Sequence, residues 1–238
     1  MPAAQTEPAK PVRVRRAKTA RYHRKHEQVV DVAVELFSKN GYASTGVADI
    51  GQAAGLARGA LYYYIGSKDA LLAEIHDRVL DPLLVEASAI VGLDISFQAR
   101  LRLLSESLLK QIVHRQDHVW VFLHEYHQLQ GEYRDRFRIK RHRFESYIRD
   151  VLAEGHSLGQ LRVQDLELAM LAYLNLHNYT YQWISRRQDL EVMELASFYC
   201  EIFLNGILVE PFDQAGITAE LEHGRSVLGV LSAKGLDH

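Results

Sequence analysis

A chain of 238 residues, 47% apolar and 24% charged, suits one large domain or a small domain joined to a larger one. No apolar run approaches the ~18 residues that a membrane span needs, and the single cysteine, Cys200, excludes an internal disulfide. The net charge of −2 hides a polarity, because residues 1–25 hold eight Lys and Arg against Glu7 alone.

Residues 1–23 read as a basic, flexible arm. Its first dozen residues suit a solvated tail, and the stretch from Arg13 to Lys25 suits a polyanion. It lacks the apolar core of a secretory signal, so a reducing cytoplasm is expected. The first strong helix is predicted over 24–39, where Val29, Val30, Ala33, Leu36 and Phe37 form one apolar stripe. Gly41 stops it. Thr45 offers a capping hydroxyl to a short second helix carrying Val47, Asp49, Ile50 and Ala54. A turn at Gly55 leads to a third helix over 57–65, and Ser67 caps a fourth that begins "KDALLAEIHDRVL". Helix, three-residue turn, helix is the spacing of a helix-turn-helix.

Pro82 is expected to kink or end the fourth helix. Further helices are predicted over 97–112, 118–129, 133–156, 165–185 and 190–208, and no strand-like alternation persists. The fold class is therefore all-α, with about nine helices. The segment 211–238 has weak helical pattern and reads as a C-terminal tail.

The third helix poses the chemical question, because "GALYYY" places Tyr62, Tyr63 and Tyr64 in a row. At ~100° per residue, Arg58, Gly59, Tyr62 and Tyr63 fall within an arc of about 140°. Ala60, Leu61 and Tyr64 lie opposite. So short a helix cannot bury both faces. The outer face suits a major-groove reader: Arg58 can donate two hydrogen bonds to guanine, Gly59 admits close approach, and phenols reach phosphates. Thr45 and Lys68 sit at helix N-termini on either side, placed to grip phosphate.

Residues 24–72 resemble the DNA-binding domain of TetR-family transcriptional repressors. The resemblance is carried by "AVELFSKNGYASTGVADIGQAAGLARGALYYYIGSKDALL". Two departures are Ala57, where the family often has serine, and Tyr64–Ile65, where "HF" is common. The resemblance implies a homodimer whose third helices enter successive major grooves of a pseudo-palindromic operator. By position, Thr45, Tyr62, Tyr63 and Lys68 would hold phosphates, and Arg58 and Gly59 would read bases. The arm from Arg13 to Arg24 would add backbone or minor-groove contacts. It also implies that residues 73–210 form a ligand-binding and dimerisation domain.

The body of the sequence agrees with two such roles. Val192, Leu195, Ala196, Tyr199, Ile202, Phe203 and Gly206 form a stripe, and "ELAMLAYLNLHNYTYQWI" is apolar almost all round. Two such helices suit pairing across a two-fold axis. The segment "HVWVFLHEYHQL" offers Trp120, Phe122 and Tyr126 for small-molecule recognition. In "YRDRFRIKRHRF", Arg134, Arg138 and Arg141 share a helix face with one acid, Asp135, nearby. Two readings stand: a solvated face, or a site for a polyanion such as coenzyme A phosphates, with an acyl chain among the aromatics. "HVWVFLHEYHQL", "RHRFESYIRDVLAEGHSLGQLR" and "LNLHNYTYQWI" look like the ligand-binding half of acyl-CoA-responsive TetR members controlling lipid catabolism. On that resemblance Asn175, Asn178 and Trp183 would touch ligand or partner subunit.

No cofactor or metal is expected. His114/His118 and His124/His127 have helical spacing, but no HExxH motif or cysteine pair accompanies them. The resulting expectation is a cytoplasmic, homodimeric repressor tuned by a small molecule, with a fatty acyl-CoA as the specific guess. An aromatic or drug-like effector is the alternative. An all-helical enzyme acting on acyl thioesters is the minor one, since no nucleophile elbow or phosphate loop is present.

Overall fold

Apolar periodicity is realised as helix at nearly every place the sequence predicts one. The computed structural model describes residues 20–187 and 189–235; the arm as far as residue 19, with Arg13, lies outside them. Among the described residues the order is α1 (Ala20–Asn40), α2 (Val47–Ala53), α3 (Arg58–Ile65), α4 (Lys68–Val91) and α5 (Phe97–His114). Then come α6 (Gln116–His124), α7 (Gly131–Ser157), α8 (Leu166–Asn178), α9 (Val192–Ile207) and α10 (Thr218–Gly235). No strand forms among them beyond an isolated bridge between Leu161 and Leu208.

α1 buries Val29, Val30, Ala33, Val34 and Phe37. It ends at Gly41, whose φ of 81° is open to glycine without a Cβ clash. Leu61 and Ile65 of α3 join Ile50 and Phe37 in one core, so α1 to α3 close around a shared centre. α4 begins at Ser67, whose hydroxyl accepts from the Ala70 N–H at 2.9 Å. The core of this end does not stop at α4: Val121, Leu129 and Phe137, from α6 onward, belong to it. α6 thus packs on both α1 and α4.

Pro82, expected to kink or end α4, does not end it: the helix runs through to Val91. Proline removes the N–H that would bond the carbonyl four residues back, here that of Arg78. Arg115, between α5 and α6, donates to that carbonyl from Nη1 at 3.3 Å. A side chain from outside the helix therefore satisfies the orphaned acceptor.

The tail also departs from expectation, because its second half is α10, packed on α4 and α5. Its apolar side is narrow, with Ile217 and Leu221 buried. Polar ties supply the rest: Glu220 accepts from the Ser96 N–H at 3.1 Å, and Arg225 Nη2 meets Glu106 at 2.7 Å. Glu106 is itself buried and also pairs with Arg102 at 3.2 Å.

α5 and α7 meet at Gly155, where an added Cβ would lie 2.6 Å from the buried Phe97 ring. Alanine gains about 1 kcal/mol of helix propensity over glycine, whereas overpacking costs about 1–3 kcal/mol. Gly155→Ala is expected to lower the thermal midpoint. An unchanged or raised midpoint would show that the ring yields freely.

Candidate functional site

α3 presents one face outward. Tyr63 is 70% exposed and Tyr62 37%, Arg58 and Gly59 are exposed, and nothing lies within 4 Å of a Cβ built on Gly59. The Arg58 guanidinium lies 5.8 Å from the Tyr62 ring centroid, which orients it along this face. Tyr64 turns inward and stacks on Tyr22 of α1 at 5.1 Å, while Tyr63 meets the same ring edge-on at 5.4 Å. Ala60, expected inside, is exposed, because Leu61 and Ile65 set the buried side. Arg21 and Arg24 at the start of α1 are exposed as well.

Thr45 requires a correction. It does not cap α2, whose N-cap is Gly46 with its N–H donating to Asp49 at 2.7 Å. Thr45 is 1% exposed, and its hydroxyl donates to the Gly41 carbonyl at 2.9 Å. A side chain so buried does not offer its hydroxyl to a phosphate. Lys68 is also turned inward: Nζ donates to the Tyr42 carbonyl at 2.6 Å and lies 4.0 Å from the Tyr42 ring centroid. Burial, the largest effect, lowers the pKa of this ammonium, and Asp69, Glu125 and Asp49 oppose it.

The Gly41–Tyr42 knuckle between α1 and α2 is thus held from several sides. Lys68 takes its carbonyl, and Asp69 accepts from the Tyr42 hydroxyl at 2.7 Å. Glu125 Oε1, from the end of α6, accepts from the Tyr42 N–H at 3.1 Å. Glu125 is only 7% exposed. It ties residues 83 positions apart and joins the helix-turn-helix end to the rest of the molecule.

The residue after it, Tyr126, borders a cavity of about 180 Å³ between α4, α5, α6, α7 and α8. Leu80, Leu83, Leu108, Phe122, Phe144 and Leu174 give it apolar walls, and Arg141, Glu145 and Asn178 supply polar atoms. Tyr126, Phe137, Arg141 and Glu145 also line an outer groove of about 910 Å³. That groove carries Arg134, Arg138, His127 and His142, together with Asp135. Apolar chamber and cationic groove therefore share four wall residues.

The cations of α7 divide by helix face. Arg136 pairs with Asp77 at 2.9 Å, and Lys140 bridges Asp77 and Asp81 on α4. Arg141 pairs with Glu145 at 2.8 Å while its guanidinium lies 5.8 Å from the Tyr126 ring. Arg134 and Arg138 are exposed in the groove, and neither side chain has an ion-pair partner among the described residues.

Of the residues named from sequence, Phe122, Tyr126, Arg134, Arg138, Arg141 and Asn178 each line the cavity, the groove or both. Trp120, Asn175 and Trp183 do not. Trp120 stacks on His124 at 4.5 Å beside the α1 core. Trp183 packs with Leu109, Ile184 and Tyr199 in a separate cluster. Asn175 is exposed one turn from Leu171 and from Tyr179 on the outer side of α8. Missed from sequence were Glu125, Tyr42 and His76. Their only advance signal was a charged or polar residue inside an apolar-periodic stretch.

Two family models match the chain: "Bacterial regulatory proteins, tetR family" over residues 29–75, and "Tetracyclin repressor-like, C-terminal domain" over residues 94–207. The HTH-type transcriptional repressor KstR2 of Rhodococcus jostii is 27% identical over 182 residues, 76% of this chain and 89% of that protein. The structure of the ketosteroid transcriptional regulator KstR2 of Mycobacterium tuberculosis superposes with a TM-score of 0.72 at 23% identity, covering 78% of this chain and 96% of that one. AibR, solved in complex with isovaleryl coenzyme A and operator DNA, superposes with a TM-score of 0.65 at 20% identity, covering 75% and 97%. No helix among the described residues is long and apolar enough to cross a membrane.

The buried hydroxyl of Thr45 makes a separable prediction. Thr45→Val should lower stability by about 1–3 kcal/mol by leaving the Gly41 carbonyl without its donor. The slope of log affinity for DNA against log salt should stay unchanged. A slope shallower by about 0.9, one phosphate's share, would instead place Thr45 on the DNA.

Proposed function

From the premise that the chain belongs to the TetR family of bacterial transcriptional regulators, we propose that it is a homodimeric repressor released from its operator by a fatty acyl-CoA. The observation that carries the ligand is an apolar cavity sharing walls with a groove in which Arg134 and Arg138 have no ion-pair partner among the described residues. The acyl group enters between Phe122, Phe144 and Leu174, and the coenzyme phosphates meet Arg134 and Arg138 outside. Arginine suits this role because its donors match phosphate oxygens in pairs. The isovaleryl coenzyme A bound by AibR supports the same ligand class.

At the other end, Arg58 and Gly59 face the bases, and Tyr62 and Tyr63 face the phosphates. Lys68 contributes from its place on the knuckle through the ammonium protons that Tyr42 does not take. Dimerisation uses the outer side of α8 and α9, where Leu168, Leu171, Tyr179, Phe198 and Ile202 are all exposed. So much apolar surface on adjoining helices favours a partner over water. Asn175 lies on this side, which favours a partner-facing role for it, and Asn178 borders the cavity.

Release follows if ligand binding favours a geometry in which the recognition helices no longer match the grooves. Tyr126 borders the chamber, and the adjacent Glu125 holds the Tyr42 N–H. Displacement of Tyr126 by an acyl group therefore shifts the clamp on the knuckle that orients α2 and α3.

The test titrates the protein, bound to an operator selected from random DNA, with decanoyl-CoA, coenzyme A and decanoate. Decanoyl-CoA should release DNA at concentrations where the other two do nothing. Replacing both Arg134 and Arg138 by alanine should raise the concentration required about tenfold, at about 1.4 kcal/mol per decade. Arg136→Ala, which removes a partner of Asp77, should change it by less than about twofold. Equal release by decanoate, or release by aromatic compounds alone, would return the arginines to a solvated surface.

A further inference from the structure

α4 carries one buried imidazole that neither DNA contact nor phosphate binding uses. His76 is 1% exposed. Its Nδ1 donates to the Leu72 carbonyl one turn back at 2.8 Å, which leaves Nε2 as the bare acceptor. Nε2 has no hydrogen-bond partner among the described residues. On the side away from Leu72 the ring packs against α6 and α7. There the ring meets Phe137 edge-on at 5.2 Å and Phe122 at 5.7 Å.

Those two phenyl rings are walls of the cavity, and Leu80, one turn along α4 from His76, is another. The ring that carries the orphaned acceptor thus packs directly against side chains that wall the cavity. A neutral acceptor is costly to bury unpaired, and sites built around such groups discriminate strongly by hydrogen bonding. Burial keeps this imidazole neutral, pushing its pKa down to about 4. It therefore offers a lone pair and not a charge.

The geometry points to His76 Nε2 as the polar anchor of the effector cavity, reached when Phe122 and Phe137 turn aside, and selecting effectors whose apolar part carries a hydroxyl. This rests on the cavity being the effector site and is independent of what binds the arginines. Because α4 begins directly after α3, a hydroxyl drawn onto His76 would act on the helix that holds the recognition helix.

The test uses the full chain with two neutral probes of similar shape, cyclohexanol and methylcyclohexane, followed by NMR of the protein with ¹⁵N-labelled histidine. The wild type should bind the alcohol about fivefold more tightly or better, and the His76 Nε2 resonance should move with the alcohol alone. His76→Phe keeps a ring of similar volume and should erase the preference while leaving hydrocarbon affinity within about twofold. His76→Gln, which restores an acceptor, should recover part of it. The proposal is overturned if the wild type shows no preference, if His76→Phe retains it, or if neither probe binds. Should His76→Phe not fold, a wild-type Nε2 resonance unmoved by the alcohol overturns it equally. Decanoyl-CoA forms a separate arm. If it fails to bind while the alcohol preference holds, the acyl-CoA reading falls and the role of His76 stands.

Discussion

The hydrogen bond from the Tyr42 N–H to the buried carboxylate of Glu125 is the constraint on which the rest of the molecule turns. It crosses from the end of α6 to the corner between α1 and α2. The same corner receives Lys68 and Asp69 from the first turn of α4. A peptide held from both α4 and α6 cannot follow one without registering the other. Tyr42 also packs its ring on Phe37 at 5.1 Å, so the corner is fastened to the core of the helix-turn-helix end. Continuity of that core through Val121, Leu129 and Phe137 means that α6 is structural support for the DNA-facing end as well as a wall of the cavity.

A division of charge gives the cavity its character. α7 carries many cations, but Asp77 and Asp81 on α4 neutralise the row that faces α4, Arg136 and Lys140. In the neighbouring row Arg134 and Arg138 have no ion-pair partner among the described residues, whereas Arg141 is held by Glu145. The cavity keeps mostly apolar walls, with Arg141, Glu145 and Asn178 as its polar atoms, and this suits the amphipathic ligand proposed above. Beside it, packed on Phe122 and Phe137, His76 Nε2 has no hydrogen-bond partner among the described residues.

Much of the fold was legible because helices reveal themselves locally. The stripe of α1, the glycine at 41 and the Ser67 cap all act within a few residues, and each appears as read. Thr45 was not legible. A hydroxyl before a helix serves as a cap or as a buried donor, and the choice depended on Gly41 and Leu36 carbonyls brought near by folding. α10 escaped because its attachment relies on Glu220 and Arg225 finding Ser96 and Glu106, more than a hundred residues away. The basic stretch of α7 could be read only as ambiguous, since the acids that sort its rows lie about sixty positions upstream. Aromatic content led Trp120 to be read as a ligand contact, and resemblance gave Trp183 to ligand or partner, but wide rings fill interfaces between helices equally well.

The most direct test of coupling through the knuckle is the ratio of operator affinities without and with saturating decanoyl-CoA, measured for the wild type and for Glu125→Ala. Couplings of this kind span about 5–150-fold. The wild type should fall in that range. The variant should approach a ratio of one while still binding decanoyl-CoA, in the absence of DNA, within about twofold of the wild type. A variant that keeps the wild-type ratio would show that the ligand signal reaches the DNA by a path that does not pass through Glu125 and Tyr42.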